Sequence, residues 1–213
     1  MIEYVVEQNP DDRILAKASQ ILNSGGLLCF PLETNWVAVC DPFQKGGIEK
    51  LYRLRHIDDT KHLTILCDHF QKANEVAHIN DGAFRLIKKV IPGPYTFIFE
   101  ANKNITKLLK ASRIDKQVGI RFPPSHLCRR LIEVHGKVLL SSHVSYDMFG
   151  PDEEDEFPLY GALIEDKFGN IIDMVIDPGE YEFIGSTSIV DFTSGEPEVI
   201  REGTGDTALF EKK

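Results

Sequence analysis

The sequence has few of the features that announce a function by themselves. Its four cysteines, Cys29, Cys40, Cys67 and Cys128, are spread over 213 residues without a C-x-x-C pair. That spacing argues against a zinc ribbon or a disulfide scaffold, and the apolar runs around the cysteines suit reduced thiols packed as small hydrophobes. No apolar run approaches the roughly 18 residues that would suggest a membrane span. The opening MIEYVVEQNPDD lacks the basic start and small-residue cleavage site of a secretory signal, so a cytoplasmic protein is expected. There is no G-x-x-x-x-G-K-[ST] loop, G-x-G-x-x-G turn or G-x-S-x-G elbow, which removes the commonest phosphate cradles and serine nucleophiles. His56, His62, His69 and His78 show no i, i+4 pair or other ligand spacing, and no protein-built metal site is expected.

Positive charge is also short: 24 Lys and Arg stand against 33 Asp and Glu, a net −9. Coating nucleic acid needs a positive surface that displaces phosphate counterions, so this balance argues against that as the main task. The charge is uneven, +1 over residues 1–110 and −10 over 111–213, with DEEDE at 152–156. A local basic cavity is compatible with such a distribution. The run from Met148 to Pro158, with Gly150, Pro151 and its acids, is expected as a solvated loop, since hard cations need ligands converging from a turn that an acidic run does not supply.

What is present is a globular composition, 42% hydrophobic and 27% charged, in a chain long enough to bury a full core as one domain. Ile14, Leu15, Ala18, Ile21 and Leu22 recur at helical spacing, with Asp11 or Asp12 to cap the start and Gly25 beyond the end. Further helices are expected near Gly47–Leu54, over Asp81–Val90 with Ala83, Phe84 and Ile87 on one face, and over Ser125–His135. Strand signals fall at Gly26–Pro31, Trp36–Cys40, Leu63–Cys67, Tyr95–Glu100, Val118–Arg121, Val138–Ser141, Ile172–Ile176, Ser188–Phe192 and Glu198–Arg201. Some strands adjoin through short turns and others are separated by helices. An α/β domain with a twisted mixed sheet and flanking helices is therefore expected.

Between the apolar runs Leu27–Phe30 and Val37–Cys40 lies a turn more particular than a loop needs: Pro31, Glu33, Thr34, Asn35 and Trp36. Hydroxyls and cations recur in the same way at strand ends or beside Pro/Gly turns, where function tends to sit. They are Arg55, with Lys61 and His62 beyond it, Thr96 in PGPYTFIF, Arg121 in VGIRFP, Ser142 in LLSSHVS, Thr187 and Ser188 in GSTSIVD, and Arg201 in VIREGTGD.

In this order, from about Asp11 to Asp206, the pieces resemble the YrdC/YciO superfamily, whose best understood members are threonylcarbamoyl-adenylate synthases of transfer RNA modification. The family pattern is P-T-[DE]-T-x-Y-G, K-x-R, P-G-P-x-T, V-x-R-x-P, S-A-N, S-T-[VI]-V-D and R-x-G. The resemblance implies a single YrdC-like domain over 11–206, followed by a tail at 207–213, with a concave basic cavity. It implies ATP, with Mg²⁺ accompanying its phosphates, and threonine or a related acid plus bicarbonate as substrates. Arg55, Lys61 and Arg121 would be catalytic. Arg55, Thr96, Arg121, Ser142 and Arg201 would hold the nucleotide, and Thr34, Trp36, His62, Thr187 and Ser188 the other substrate. Such chemistry needs positioning and charge neutralisation more than covalent help, which cations and oriented hydroxyls supply.

The chain departs from the pattern where Leu32 replaces a threonine, Trp36 a tyrosine and Val37 a glycine. Arg55-His56-Ile57 keeps one cation of K-x-R, and Val144 replaces the Asn of S-A-N. Each change is expected to remove a polar contact at the ligand site, with the Trp36 ring on the pocket wall. Arg55 to Cys67 and GAFRLIKK at 82–89 look closer to the YciO branch. A nucleotide-binding protein, of synthase type if active, is the expectation. The alternatives are a translation-associated module binding transfer RNA or double-stranded RNA, and a nucleotide-binding relic without turnover.

Overall fold

The computed structural model describes residues 1–55, 63–108, 116–149 and 159–211. In chain order these form β1 (Ile2–Tyr4), α1 (Asp12–Asn23), β2 (Leu28–Pro31), β3 (Trp36–Cys40), α2 (Lys45–Arg55), β4 (Thr64–Leu66), α3 (Phe70–Asn74), α4 (Asp81–Ile87) and β5 (Tyr95–Glu100). There follow α5 (Lys103–Leu108), β6 (Gln117–Arg121), α6 (His126–His135), β7 (Leu139–His143), α7 (Gly161–Phe168), β8 (Met174–Asp177), β9 (Ser188–Asp191) and β10 (Glu198–Arg201). The expected Met148–Pro158 loop lies mostly outside the described residues.

The strands join one sheet in the order β1-β8-β2-β3-β7-β4-β6-β5-β9-β10. It is mixed, as expected: β4 and β6 run parallel, as do β5 and β9, while β3 and β7, β4 and β7, and β5 and β6 run antiparallel. Local chemistry fixes the element ends. Asp11 caps α1 by accepting from the Arg13 N–H at 2.8 Å, and Gly25 turns the chain away at φ +76°, a conformation glycine adopts without a Cβ clash. Ser125 caps α6 by accepting from the Cys128 N–H, and Gly136 ends it at φ +78°.

Alternation along each strand sends side chains to two cores. On one face Leu28, Phe30, Val37, Val39, Leu66 and Leu139 pack beneath Leu15, Ala18 and Leu22 of α1 and Leu127, Leu131 and Ile132 of α6. On the other, Cys29, Trp36, Ala38, Ile65, Phe97 and Leu140 pack with Ile48, Leu51 and Leu54 of α2 and Ile164 of α7. All four cysteines are free and buried, and burial pushes each thiol's pKa up.

One helix expectation needs correction. Helix α4 stops at Ile87, where Lys89 and Val90 donate to Leu86 and Ile87 in a tightened turn. Phe84 does not share the buried face of Ala83 and Ile87: it is 39% exposed and rests edge-on against Phe70. Past the boundary expected at 206, Phe210 is 1% exposed and sits among Tyr95, Phe97 and Phe192.

A buried polar knot joins α1, the end of β3 and α6. Asp41 accepts from Lys137 Nζ at 2.6 Å and from the Phe43 N–H at 2.8 Å. His135 Nε2 lies 3.4 Å from the same carboxylate, and its Nδ1 is 3.1 Å from Ser19 Oγ. Burial pushes the Asp41 carboxyl up, but the bonds from His135, Lys137 and Phe43 outweigh it and hold the group below its ordinary 3.8. A depressed carboxyl contributes stability that is present above the unfolded value and lost as pH falls through the lower folded one. Asp41→Asn should therefore lose stability against the natural chain at about pH 6, and the gap should narrow as the pH drops below about 4. Urea midpoints of both proteins across that range check this; a gap independent of pH would contradict it.

Candidate functional site

Helices α1 and α6 cover only part of their face of the sheet. Beyond them the face is open, and its cross-strand neighbours form the floor of a cleft of about 600 Å³, within the range of small-ligand sites. Strand register lays out this floor. Val37 of β3 pairs with His143 of β7; Ser141 pairs with Thr64 of β4; Thr64 pairs with Gly119 of β6; Gly119 pairs with Ile98 of β5; and Thr96 pairs with Ile189 of β9. A Cβ on Gly119 would stand 3.1 Å from the Thr96 methyl and 3.3 Å from Thr64 Oγ1. Glycine there lets the two threonines close in from either side.

The β2–β3 turn overhangs one end. Its Glu33 is buried and receives Arg121 Nη2 on Oε1 at 2.6 Å, and the same nitrogen lies 3.1 Å from Thr34 Oγ1. Both charged side chains are under a tenth exposed. Arg121 Nε and Glu33 Oε2 are buried without a hydrogen-bond partner, an uncommon state for such atoms. A strap from Tyr181 to Ser186 runs from this end toward Thr187: Ile184 N–H donates to Glu33 O at 2.9 Å, and Thr204 Oγ1 donates to Ile184 O at 2.7 Å. Burial, with Glu7 and Glu33 nearby, pushes the Tyr181 phenol up to about 12, so it stays protonated.

At the other end Arg201 grips the loop before β9. Its Nε and Nη2 donate to Thr187 O at 3.0 and 2.7 Å, and Nη2 also reaches Thr187 Oγ1 at 3.0 Å. That hydroxyl is 3.1 Å from Thr96 Oγ1, giving a relay Arg201–Thr187–Thr96. Arg55, the last residue of α2, completes the lining. Burial lowers its pKa, partly offset by Tyr52.

The structure thus gathers Thr34, Arg55, Thr96, Arg121, Ser142, Thr187 and Arg201 around one cleft. Ser142 borders it on a strand whose alternation puts Ser141 and His143 on the cleft face and Ser142 on the face of Leu140; its Oγ donates to His143 O. Lys61 and His62 lie outside the described residues. Two expected site residues sit elsewhere. Trp36 is 2% exposed on the opposite face of β3, where Nε1 donates to Leu159 O at 2.8 Å, so its ring is not on the cleft wall. Ser188 is fully buried outside the lining, donating to Gly205 O at 2.6 Å and accepting from the Gly203 N–H at 2.9 Å.

Nor do most departures from the motif pattern reach the ligand side. Leu32 lies under α1 and α6, and Val144 lies in the opposite core. Ile57 is outside the described residues. Of the positions that depart from the pattern and are described, Val37 alone borders the cleft, together with the retained cation Arg55. Polar residues that line or brace the cleft without having been among the expected site residues include Glu33, Asn35, Thr64, Ser141, His143 and Ser186. Glu33 carried a signal, as the acid of the P-x-[DE]-T turn; the others are ordinary strand, turn and strap residues.

A family model described as Sua5_yciO_yrdC, telomere recombination, matches residues 20–203. The chain belongs to this family. It is 29% identical over 210 residues to an Escherichia coli K12 protein named uncharacterized protein YciO, covering 97% of each chain. The crystal structure of E. coli YciO superposes with a TM-score of 0.84 over 99% of both chains. A threonylcarbamoyl-AMP synthase of Psychromonas ingrahamii is 26% identical over 131 residues, 60% of this chain and 68% of that one. Sua5 of P. abyssi, solved with L-threonine, shares the fold at TM-score 0.80 and 20% identity, over 95% of this chain and 57% of that one. The family is thus related to threonylcarbamoyl-AMP synthases, while the YciO relative carries no assigned activity. No helix among the described residues is long and apolar enough to cross a membrane.

Proposed function

We propose that the cleft binds ATP and a small amino acid and joins them through bicarbonate. The amine of threonine or a related acid and bicarbonate give a carbamate and water. A carbamate oxygen then attacks the α-phosphorus, the bond to the bridging oxygen of the β-phosphate breaks, and pyrophosphate leaves with its electrons. The observation that carries this reading is the convergence on one hollow of Thr34, Arg121, Thr187 and Arg201 from three distant parts of the chain.

The chemistry fits those side chains. Guanidinium forks take phosphate and carboxylate oxyanions through paired bonds, and fixed cations in a partly dry cleft stabilise charge where it develops. Arg55, Arg121 and Arg201 supply the positive charge, and Thr34, Thr96 and Thr187 supply oriented hydroxyls. Mg²⁺ would arrive on the ATP phosphates: the Glu33 carboxylate already bonds Arg121, and no cation-binding cluster of side chains occurs among the described residues. The cleft volume suits a nucleotide, and no specific feature of it favours an RNA helix.

The test is pyrophosphate release by the purified protein with ATP, bicarbonate and amino acid. Absence of release under all amino acids tried would overturn the synthase reading. Thr187→Val keeps shape but removes the hydroxyl linking Arg201 to Thr96. It should raise the KM for ATP roughly tenfold, the loss of one or two hydrogen bonds at about 1–1.5 kcal/mol, with a melting temperature lowered by only about 2–6 °C. An unchanged KM would remove the relay from the nucleotide site.

A further inference from the structure

The middle of the cleft floor is a notch. Strand β6 stands midway across it, three places from β3 and three from β10, and Gly119 leaves the β6 backbone bare between Thr64 and Thr96. The two flanks differ. Thr96 turns its methyl to the notch, its hydroxyl being engaged with Thr187 Oγ1. Thr64 turns its hydroxyl there, and that hydroxyl makes no hydrogen bond among the described residues. The Thr64 carbonyl accepts from Ser141 Oγ at 2.8 Å, which steadies the strand without using the side chain. A half-buried hydroxyl with no partner in the protein is satisfied by whatever fills the cleft. Charge indicates what that is. Among the described residues the lining holds Arg55, Arg121 and Arg201 and no carboxylate, and of the three only Arg121 has an acidic partner. Such surroundings suit an oxyanion.

We propose that Thr64 is a catalytic hydroxyl: its Oγ1 donates to a non-bridging oxygen of the nucleotide's α-phosphoryl group, which is seated over Gly119. This rests on the reading that a nucleotide and an amino acid meet in the cleft. The phosphorus under attack belongs where the two ligands meet, and the notch lies between the Thr34 turn and the Thr187–Arg201 end. The missing side chain at Gly119 lets a phosphoryl group settle low enough to reach Thr64 Oγ1. Threonine has few χ1 rotamers, so the donor is aimed before the ligand arrives. A donor already in place needs no reorganisation when negative charge builds on those oxygens.

The experiment measures binding and turnover separately. Isothermal titration with AMP and with adenosine isolates what the phosphoryl group contributes, and is run on the natural chain, Thr64→Val, Thr64→Ser and Gly119→Ala. Thr64→Val breaks no hydrogen bond within the protein, so it should fold as the natural chain does, which circular dichroism checks. The natural chain should bind AMP at least about tenfold more tightly than adenosine. Thr64→Val should lower that preference by about tenfold, the scale of one hydrogen bond to a charged group, and Thr64→Ser should keep it within about threefold. The kcat for pyrophosphate release by Thr64→Val should fall by at least about the same factor. Gly119→Ala fills the notch and should lose the preference too, but Thr64→Val decides the matter whether or not the Gly119→Ala chain folds. An unaltered preference or an unaltered kcat in Thr64→Val overturns the proposal, as does a natural chain that binds AMP no better than adenosine. The expected binding order in a natural chain that releases no pyrophosphate would keep Thr64 on the phosphoryl group and overturn only the synthesis reaction.

Discussion

Arg121→Ala should be the most damaging single substitution in the cleft, both to folding and to turnover. Truncation leaves Glu33, buried and already holding one unpartnered oxygen, without its counter-charge. Breaking a buried ion pair from one side costs about 3–5 kcal/mol, because the remaining charge stays out of water. In a chain of this size that lowers the melting temperature by roughly 10 °C. Pyrophosphate release should fall by about 10²–10³-fold, the scale for removing one fixed donor from developing negative charge. Arg121→Lys retains charge but not the fork that reaches Glu33 and Thr34 from a single nitrogen, so it should recover stability better than activity. Arg121→Met combined with Glu33→Gln should be more stable than Arg121→Met alone, since no ion is then stranded. Urea denaturation with a pyrophosphate assay checks all four proteins. An Arg121→Ala protein with the natural midpoint would mean that the pair contributes nothing.

Phe210→Ala should cost nearly as much, although Phe210 stands well beyond β10, the last strand, and belongs to no regular element. Its ring centroid is 6.1 Å from Tyr95, 6.0 Å from Phe97 and 6.1 Å from Phe192. Emptying a buried aromatic site costs about 3–5 kcal/mol. The damage should spread to one end of the cleft. The chain leading to Phe210 is bonded to the elements that carry Thr96 and Thr187, through Tyr95 Oη to Asp206 O at 3.1 Å and Ser188 Oγ to Gly205 O at 2.6 Å. A KM for ATP that rises along with the loss of stability is expected, and Phe210→Leu should recover most of both. Ending the chain at residue 206 should reproduce the alanine variant. If truncation leaves the melting temperature unchanged, the aromatic cluster does not hold the C-terminal segment.

The periodicity of the chain revealed most of its framework. Strands β3, β5 and β10 match their expected spans, α1 is capped by Asp11, one of the two candidates, and α6 begins after Ser125, which caps it. The elements without expectation are β1, α3, α5 and α7, which are short or follow a break in composition. Three residues cannot establish a period, and Ile2–Tyr4 is a strand because β8 offers an edge to pair with. Likewise β2 begins at Leu28 and not Gly26, since the Gly26 N–H closes the end of α1 on Ile21 O and the Leu27 N–H goes to Asp173.

At the site, motif order brought together residues separated by most of the chain. It could not say which face of a strand a residue occupies, because that depends on register with distant neighbours. Trp36 and Val37 are adjacent in one motif, yet they enter opposite cores, and only Val37 reaches the border of the cleft. The neighbours Thr187 and Ser188 part in the same way at a later motif: Thr187 joins the relay, while Ser188 staples Gly203 and Gly205. Glu33 was visible as the acid retained in the P-x-[DE]-T turn, and its meaning came with Arg121, 88 positions away.

The four sheltered thiols make the molecule its own gauge. Cys67 follows β4 and its N–H bonds Arg121 O at 2.9 Å, while Cys128 lies in α6, packed on the sheet's other core. A thiolate, not a thiol, attacks an alkylating reagent, and burial disfavours that form at all four positions. Labelling by iodoacetamide therefore waits for the surrounding structure to part. Any compound that occupies the cleft and holds β4 and β6 together should slow capture at Cys67, so mass spectrometry of that one peptide reports occupancy without a dye or a chosen substrate.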